Sequence, residues 1–386
     1  MVLHAARRVA LFLLVWAAAG RAAASRDEYD GPLLNGNFED TPDRSQMDGL
    51  KVLGPDAIPY WKTTGFVEYV ERGAKQGDMA LTVPEGAHAV RLGIQSSIEQ
   101  QLSVTPGRHY AITFSAARTC TQADERLNVS ILPDGVAAGE LPIQTIYSHN
   151  GWDSYAWAFK AKHGLVTLVI HHADDKVEDP ACGPIVDNIS IKTLNPPHIT
   201  HDNFLRNGGF EEGPYINPGS ESWGVLLPPT NEDPISPLPG WSIMSYSKAV
   251  KYISSEHSRV PHANGTRAVE LVAGLEAALV QEVDIIPGRS YKLEFTVGDA
   301  ANGCVAPMSV MVATAHGSQS VTHNSTGTGG CTRGRVDFTA EVNHTRVVFY
   351  SSGYHTTSDG TGTLCGPVID DVSLVFVHPH ARRLFR

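Results

Sequence analysis

The residues in this chain that could act on a substrate are mainly carboxylates. Asp174, Asp175, Glu178 and Asp179 crowd one short acidic loop, and glycoside hydrolysis needs two carboxyls ~5 to 9.5 Å apart across a sugar. The loop therefore admits a carbohydrate-active hydrolase, set against the plainer reading of a solvated acidic turn. His171 and His172 adjoin it at the end of an alternating strand. Their rings should point to opposite faces, so they do not readily share a metal. The chain has no Gly-x-Ser-x-Gly elbow, His-Glu-x-x-His, Cys-x-x-Cys pair, phosphate loop or dinucleotide fingerprint. A strong enzymatic signature is missing.

The elements that must carry these residues are written twice. LLNGNFED at Leu33 to Asp40 recurs as LRNGGFEE at Leu205 to Glu212, and PYW ending at Trp61 recurs as PGW ending at Trp241. TPGRHY recurs as IPGRSY, and CGPIVDNISI from Cys182 recurs as CGPVIDDVSL from Cys365. The offset is 172 between Asn35 and Asn207 and 183 between Asp187 and Asp370. Solenoid repeats recur every ~20 to 50 residues, so each copy is a whole domain that folds on its own. Within the copies, Tyr110, Ile112 and Phe114, and again Tyr291, Leu293 and Phe295, alternate with smaller or polar residues. This period of two marks strands with one buried face. Pro106-Gly107 and Pro287-Gly288 supply hairpin turns, and the 36 Gly and 24 Pro are spread along the chain. The expected fold is all-β, two tandem jelly-roll sandwiches over residues 31–195 and 204–378. Pro196 and Pro197 mark a linker at 196–203, and a basic tail at 379–386 carries Arg382, Arg383 and Arg386.

The duplication also orders the cysteines. Cys120 and Cys304 each follow the same aromatic strand, and Cys182 and Cys365 each open the same CGP turn, so the natural pairs are Cys120 with Cys182 and Cys304 with Cys365. Cys331 has no counterpart in the first copy. Disulfides need an oxidising compartment, and residues 1–24 read as a cleaved secretory signal: Arg7 and Arg8, an apolar stretch, then Ala22-Ala23-Ala24. Sequons at Asn128, Asn188, Asn264, Asn324 and Asn343 agree with secretion, Asn188 being the weakest because it lies inside a strand. No downstream run is apolar enough to span a bilayer. Removing the signal leaves 27 basic against 41 acidic residues, a net charge of −14. That balance excludes nucleic acid as a natural partner. The 16 remaining His make the charge depend on pH.

NGNFE and NGGFE near the domain starts, TPGRHY and IPGRSY in the middle, CGPIVDN and CGPVIDD at the ends, and GDAANGC at Gly298 to Cys304 carry a resemblance over about residues 31 to 378. At these motifs the chain resembles the plant cell-wall proteins of domain-of-unknown-function family 642. Cys331 departs from that family's pattern. The resemblance implies tandem galactose-binding-like jelly rolls, an extracellular place in the plant cell wall or apoplast, and a non-catalytic role with cellulose, hemicellulose or pectin. It also implies a link to pectin methylesterase and to wall remodelling in development.

The fold further resembles jelly-roll carbohydrate-binding modules, which often hold a structural calcium where their first and last strands meet. That likeness puts one calcium per domain at Glu39 with Asp187 and at Glu211 with Asp370, as suits a hard ion with 6 to 8 oxygen ligands. A pyranose offers an apolar face and a hydroxyl rim, so its binding calls for aromatic side chains beside hydrogen-bonding ones. The candidates are Trp152, Tyr155 and Trp157 in the first copy and Trp223, Tyr350 and Tyr354 in the second. Trp61 and Trp241 recur at one repeat position and read as core. A strongly acidic chain is repelled by polyanionic pectin unless calcium, protonated His or the basic tail intervenes, so neutral glycans or a basic wall protein are the easier partners. The reading is a secreted wall protein that binds polysaccharide, protein or both without catalysis. A hydrolase using Asp174 to Asp179, or a purely protein-binding adaptor, is the alternative.

Overall fold

The computed structural model describes residues 32–120, 125–137, 140–144, 146–172, 179–197, 202–217, 224–230, 235–256, 258 and 265–377. Residues 1–24, expected to be a signal, and Asp174, Asp175, Glu178, Trp223, Asn264 and the basic tail lie outside the described residues.

The first copy contributes β1 (Lys62–Thr64), β2 (Val67–Glu71), β3 (His88–Leu92), β4 (Ser96–Ser103), β5 (His109–Ala117), β6 (Arg126–Leu132), β7 (Asp153–Lys160), β8 (Leu165–His172) and β9 (Ile185–Leu194). The second contributes β10 (Val225–Leu227), β11 (Ser242–Ser245), β12 (Val250–Ser254), β13 (Arg267–Glu270), β14 (Ala277–Asp284), β15 (Ser290–Gly298), β16 (Pro307–Thr314), β17 (Gly317–Asn324), β18 (Cys331–Thr339), β19 (His344–Ser351) and β20 (Val368–Phe376). Each copy is a two-layer antiparallel sandwich. Its smaller sheet runs β6-β8-β4-β1 in the first copy and β11-β14-β19-β16-β17 in the second. Alternation sets the faces: in β4, Ile98, Gln100 and Leu102 are buried while Gln101 and Ser103 are exposed. Phe38, Phe114 and Phe159 fill the first core with Trp61, and Phe210, Phe295 and Phe349 fill the second with Trp241. The all-β tandem sandwich expected from the sequence is the fold observed.

The recurring Asn-Gly motif builds one joint twice. Asn35 and Asn207 both take φ of 50°, and their carbonyls accept the indole N–H of Trp61 (2.9 Å) and Trp241 (3.0 Å). Phe38 and Phe210 then lean on the same indoles, with ring centroids 5.6 and 5.4 Å apart. The following Gly36 and Gly208 press against β9 and β20. A Cβ there would lie 1.9 Å from the Ile189 carbonyl oxygen in one copy and 1.9 Å from that of Val372 in the other, so only glycine fits. The cysteines pair as Cys120–Cys182 and Cys304–Cys365. Each closes a loop of about 60 residues, a constraint contributing about 4 kcal/mol in the chain-entropy account.

The copies are coupled more closely than a linker between independent domains requires. β7 of the first copy pairs in parallel with β10 of the second, Tyr155 opposite Leu226. Their larger sheets thereby fuse into thirteen strands, among the described residues: the short strands Met47–Asp48 and Lys51–Val52 followed by β2-β3-β9-β5-β7 on one side, and β10-β12-β13-β20-β15-β18 on the other. β10 sends Leu226 into the first core, and Val225 and Leu227 into the second. Residues 213–217, just after the second copy's Asn-Gly motif, also cross the outer face of the first copy's larger sheet. Thr113 Oγ1 donates to the Tyr215 carbonyl (3.0 Å), Lys192 Nζ to that of Gly213 (2.7 Å), and Asn217 Nδ2 to that of Asn188 (3.1 Å). The small Ala111 and Ala158 leave room there for Ile235.

Candidate functional site

Trp152, Tyr155 and Trp157, proposed from sequence as sugar platforms, are buried. Tyr155 and Trp157 point with Phe159 into the first core, and β10 and the crossing segment cover what would otherwise be an open edge and face. They are framework residues. Trp223 lies outside the described residues. Tyr350 and Tyr354 do reach the surface, and they lead to the site.

Tyr350 stands on the outer face of the second copy's smaller sheet, in a row that runs across the strands. Met244 on β11 is opposite Ala278 on β14, whose register with β19 brings it level with Tyr350. Tyr350 faces Met311 on β16, and Met311 faces Ser320 on β17. Met244 is 45% exposed, and Ala278, Tyr350 and Met311 are half-buried. Five strands at ~4.8 Å give this row a length of ~19 Å. The next row is polar: Tyr246 and Glu276 extend the ladder beyond Ser245 and Ala277, followed by Ser352, Ser309 and Thr322. The Ser352 N–H donates to the Ser309 carbonyl (2.8 Å), and the Ser309 and Thr322 hydroxyls are 2.6 Å apart. At the same end the Tyr354 hydroxyl donates to Glu276 Oε2. Tyr246 is fully exposed and Tyr354 is 46% exposed. The result is an apolar strip with an aromatic at its centre, two more tyrosines at its end, and a rim of hydroxyls and one carboxylate. Such a surface can take the C–H face of a pyranose on the strip and its hydroxyls on the rim.

Among the described residues, the first copy has no equivalent strip. Its matching row is Thr64, Ser97, His171 and Asn128. Sequence reasoning found Tyr350 and Tyr354 but missed Met244, Tyr246 and Glu276. The available signal was the alternation in SIMSY, which turns Ile243 and Ser245 inward and Met244 and Tyr246 outward.

The four carboxylates assigned to calcium serve as loop clamps. Glu39 Oε1 accepts the Ala87 and His88 N–H groups (2.6 and 3.1 Å), and Oε2 meets His88 Nδ1 at 2.9 Å. Burial raises its pKa, but these hydrogen bonds outweigh that and hold it below the usual value. Asp187 Oδ2 accepts from Glu85 N (2.8 Å) and Oδ1 from Asn188 N (2.7 Å), while burial pushes its pKa well up. Glu211 accepts from Thr266 and Arg267, and Asp370 Oδ1 accepts from Asp371 N at 2.6 Å. These N–H and hydroxyl donors tie the carboxylates to neighbouring loops of their own copies.

The other assigned residues are equally plain in role. Asp179 caps its own turn at Ala181 N and accepts from Gln76. His171 faces outward and His172 inward, its Nδ1 on the Gly93 carbonyl at 3.0 Å. Asn324 and Asn343 are exposed, Asn128 is half-buried, and Asn188 is buried under Asn217. Cys331 is an exposed thiol on β18. No helix among the described residues is long and apolar enough to cross a membrane.

Fold and surface define a tandem β-sandwich protein with one open, aromatic-lined sheet face. The chain belongs to the family described as a protein of unknown function (DUF642), which matches residues 31–192 and 203–375. It is 50% identical over 369 residues to the Arabidopsis thaliana protein DUF642 L-galactono-1,4-lactone-responsive gene 2, covering 96% of this chain and 98% of that one. It is 44% identical over 343 residues to Arabidopsis thaliana protein TEEBE, covering 89% and 90%. Among solved structures, the tandem CBM22 domains of Paenibacillus barcinonensis Xyn10C align at 11% identity and TM-score 0.26, over 82% of this chain and 93% of that one. The Arabidopsis thaliana ANX1 ectodomain aligns at 9% identity and TM-score 0.28, over 83% and 90%.

Proposed function

We propose that this protein is a secreted, non-catalytic cell-wall protein that binds wall polysaccharide through the outer face of β11, β14, β19, β16 and β17. The observation that carries this reading is the replacement of Thr64, Ser97, His171 and Asn128 in the first copy by Met244, Ala278, Tyr350 and Met311 in the second. Duplicated sheets need the same inward residues, but nothing in folding requires an outward polar row to become apolar and aromatic. Around the strip, Glu276, Glu282 and Asp284 are set against Arg346, and with the acidic chain they favour uncharged glycans such as cellulose and hemicellulose over unbridged pectin. A basic wall protein, a pectin methylesterase among them, suits the same charge and is the second partner class. Isothermal titration with soluble cello- and xylo-oligosaccharides tests the reading. Tyr350→Ala is expected to weaken binding about tenfold, ~1.4 kcal/mol, with unchanged melting behaviour. Wild-type protein that bound no neutral wall glycan would refute it.

A further inference from the structure

The two copies place opposite charges at one cross-strand position with the signs exchanged, as an ion pair in the first copy and as Lys251 acting on Glu270 through its charge in the second. In the first, Glu68 on β2 lies opposite Arg91 on β3, Oε2 to Nη1 3.2 Å. In the second, the corresponding positions are Lys251 on β12 and Glu270 on β13. The exchange puts a buried cation at the junction, and Lys251 uses it across the boundary. Its Nζ donates to the Tyr147 carbonyl of the first copy at 3.0 Å, within the field of Asp153 on β7. Asp153 is 2% exposed and Glu270 fully buried, and each keeps one oxygen without a hydrogen-bond partner, Asp153 Oδ2 and Glu270 Oε2. One lysine therefore serves two dry carboxylates. Without a proton the group is left with a net negative charge where desolvation is costly.

The other charged and titratable groups facing this cluster do not cancel that charge. From the first copy come Tyr147 and Tyr155, with Arg118 acting on Tyr155. From the second come Asp299, acting on Glu270, and Glu276, acting on Tyr147. Tyr147 also ties the cluster to the binding face. Its hydroxyl accepts the Ala249 N–H at 3.5 Å, and Lys248 Nζ donates to Gln144 Oε1 at 3.3 Å. Both bonds hold the turn between β11 and β12, which carries Tyr246.

We propose that Asp153, Lys251 and Glu270 form a proton-dependent latch between the copies, which fixes the Tyr246 turn when one carboxyl is protonated and releases it when that proton is lost to solvent. The link to ligand rests on the reading of the β11–β17 face as a glycan site. Burial acts on both acids in the direction the latch needs, raising Glu270 and taking Asp153 to about 7. The latch is closed in a mildly acidic wall and open above neutral pH.

Hydrogen exchange of the full secreted chain at pH ~5.5 and ~8.5, corrected for intrinsic rates, tests this without any glycan. Peptides covering 144–150 and 244–253 are expected to exchange about tenfold faster at the higher pH. Asp153→Asn keeps the shape of the protonated acid and leaves Lys251 balanced by Glu270, so it should stay protected at both. Glu270→Gln should behave the same way. Wild-type exchange that is equal at the two pH values, or a step that survives in both variants, overturns the latch. A step in exchange with no glycan bound at either pH would sink the glycan reading and leave the latch standing. A step with glycan affinity equal at both pH values would overturn its control of the face.

Discussion

Asp153 should make the folded chain less stable as pH rises through neutrality. Burial raises its carboxyl from 3.8 to about 7 in the folded chain, with Lys251, Ser148 and Tyr147 only partly offsetting the desolvation. An acid whose pKa is raised on folding holds a proton that the unfolded chain has already released. The folded state is therefore unpenalised below pH ~4, loses stability as pH climbs to ~7, and is level beyond. At ~1.4 kcal/mol per unit, the change between pH ~5 and ~8 is about 2.5 kcal/mol. For a protein of this size that is roughly 5 °C in Tm. Glu270, Asp187 and Glu125 are raised by burial too and push the same way. Urea unfolding at a series of pH values should show wild-type stability falling from pH ~5 to ~8, and Asp153→Asn should remove about 2.5 kcal/mol of that fall. A wild type that gained stability over this interval, or a variant with an undiminished slope, would refute the reasoning.

Other expectations are simpler. Gly208→Ala should cost about 3 kcal/mol or more, read as a lowered urea midpoint, because the new methyl meets the Val372 carbonyl oxygen at 1.9 Å; an unchanged midpoint would show that β20 can move aside. Met244→Thr, which copies Thr64 of the first sandwich, should weaken oligosaccharide binding about threefold to tenfold without altering the fold, and calorimetry would detect full affinity if the strip were irrelevant. Chelation should leave Tm unchanged within about 1 °C, since main-chain N–H groups already occupy the Glu39 and Asp187 oxygens; a fall reversed by added calcium would show that the ion displaces the clamp. Purified protein should release neither reducing sugar nor methanol from wall polymers, and release abolished by Asp175→Asn would revive the hydrolase alternative.

The repeat, the alternating strands and both disulfides were legible in the sequence because each rests on local chemistry or on the comparison of one copy with the other. The aromatic assignments in β7 failed for a reason that local pattern does not contain. Tyr155, Ala156 and Trp157 alternate identically whether the strand is an open edge or is paired on both sides, and the partner on that second side is just the three residues Val225–Leu227. The alanines at 111, 156 and 158 were the available hint that something packs close. Met244 and Tyr246 lie on a short strand whose outward face carries no tryptophan, and their signal is the exchange of Thr64 for Met244 between the aligned copies. The exchanged charges of Glu68 with Lys251 and Arg91 with Glu270 were visible in that same alignment. Their meaning required knowing that Lys251 reaches the neighbouring sandwich.

The parallel seam between β7 and β10 also governs what can be cut from this molecule. Severing the chain in the Pro-rich segment would strip β7 of its neighbour and leave a long, apolar strand edge seeking a substitute, the usual start of aggregation. A truncated first half should therefore be insoluble however well it reproduces the family motif, and dissection of this protein is safer by point substitution than by scissors.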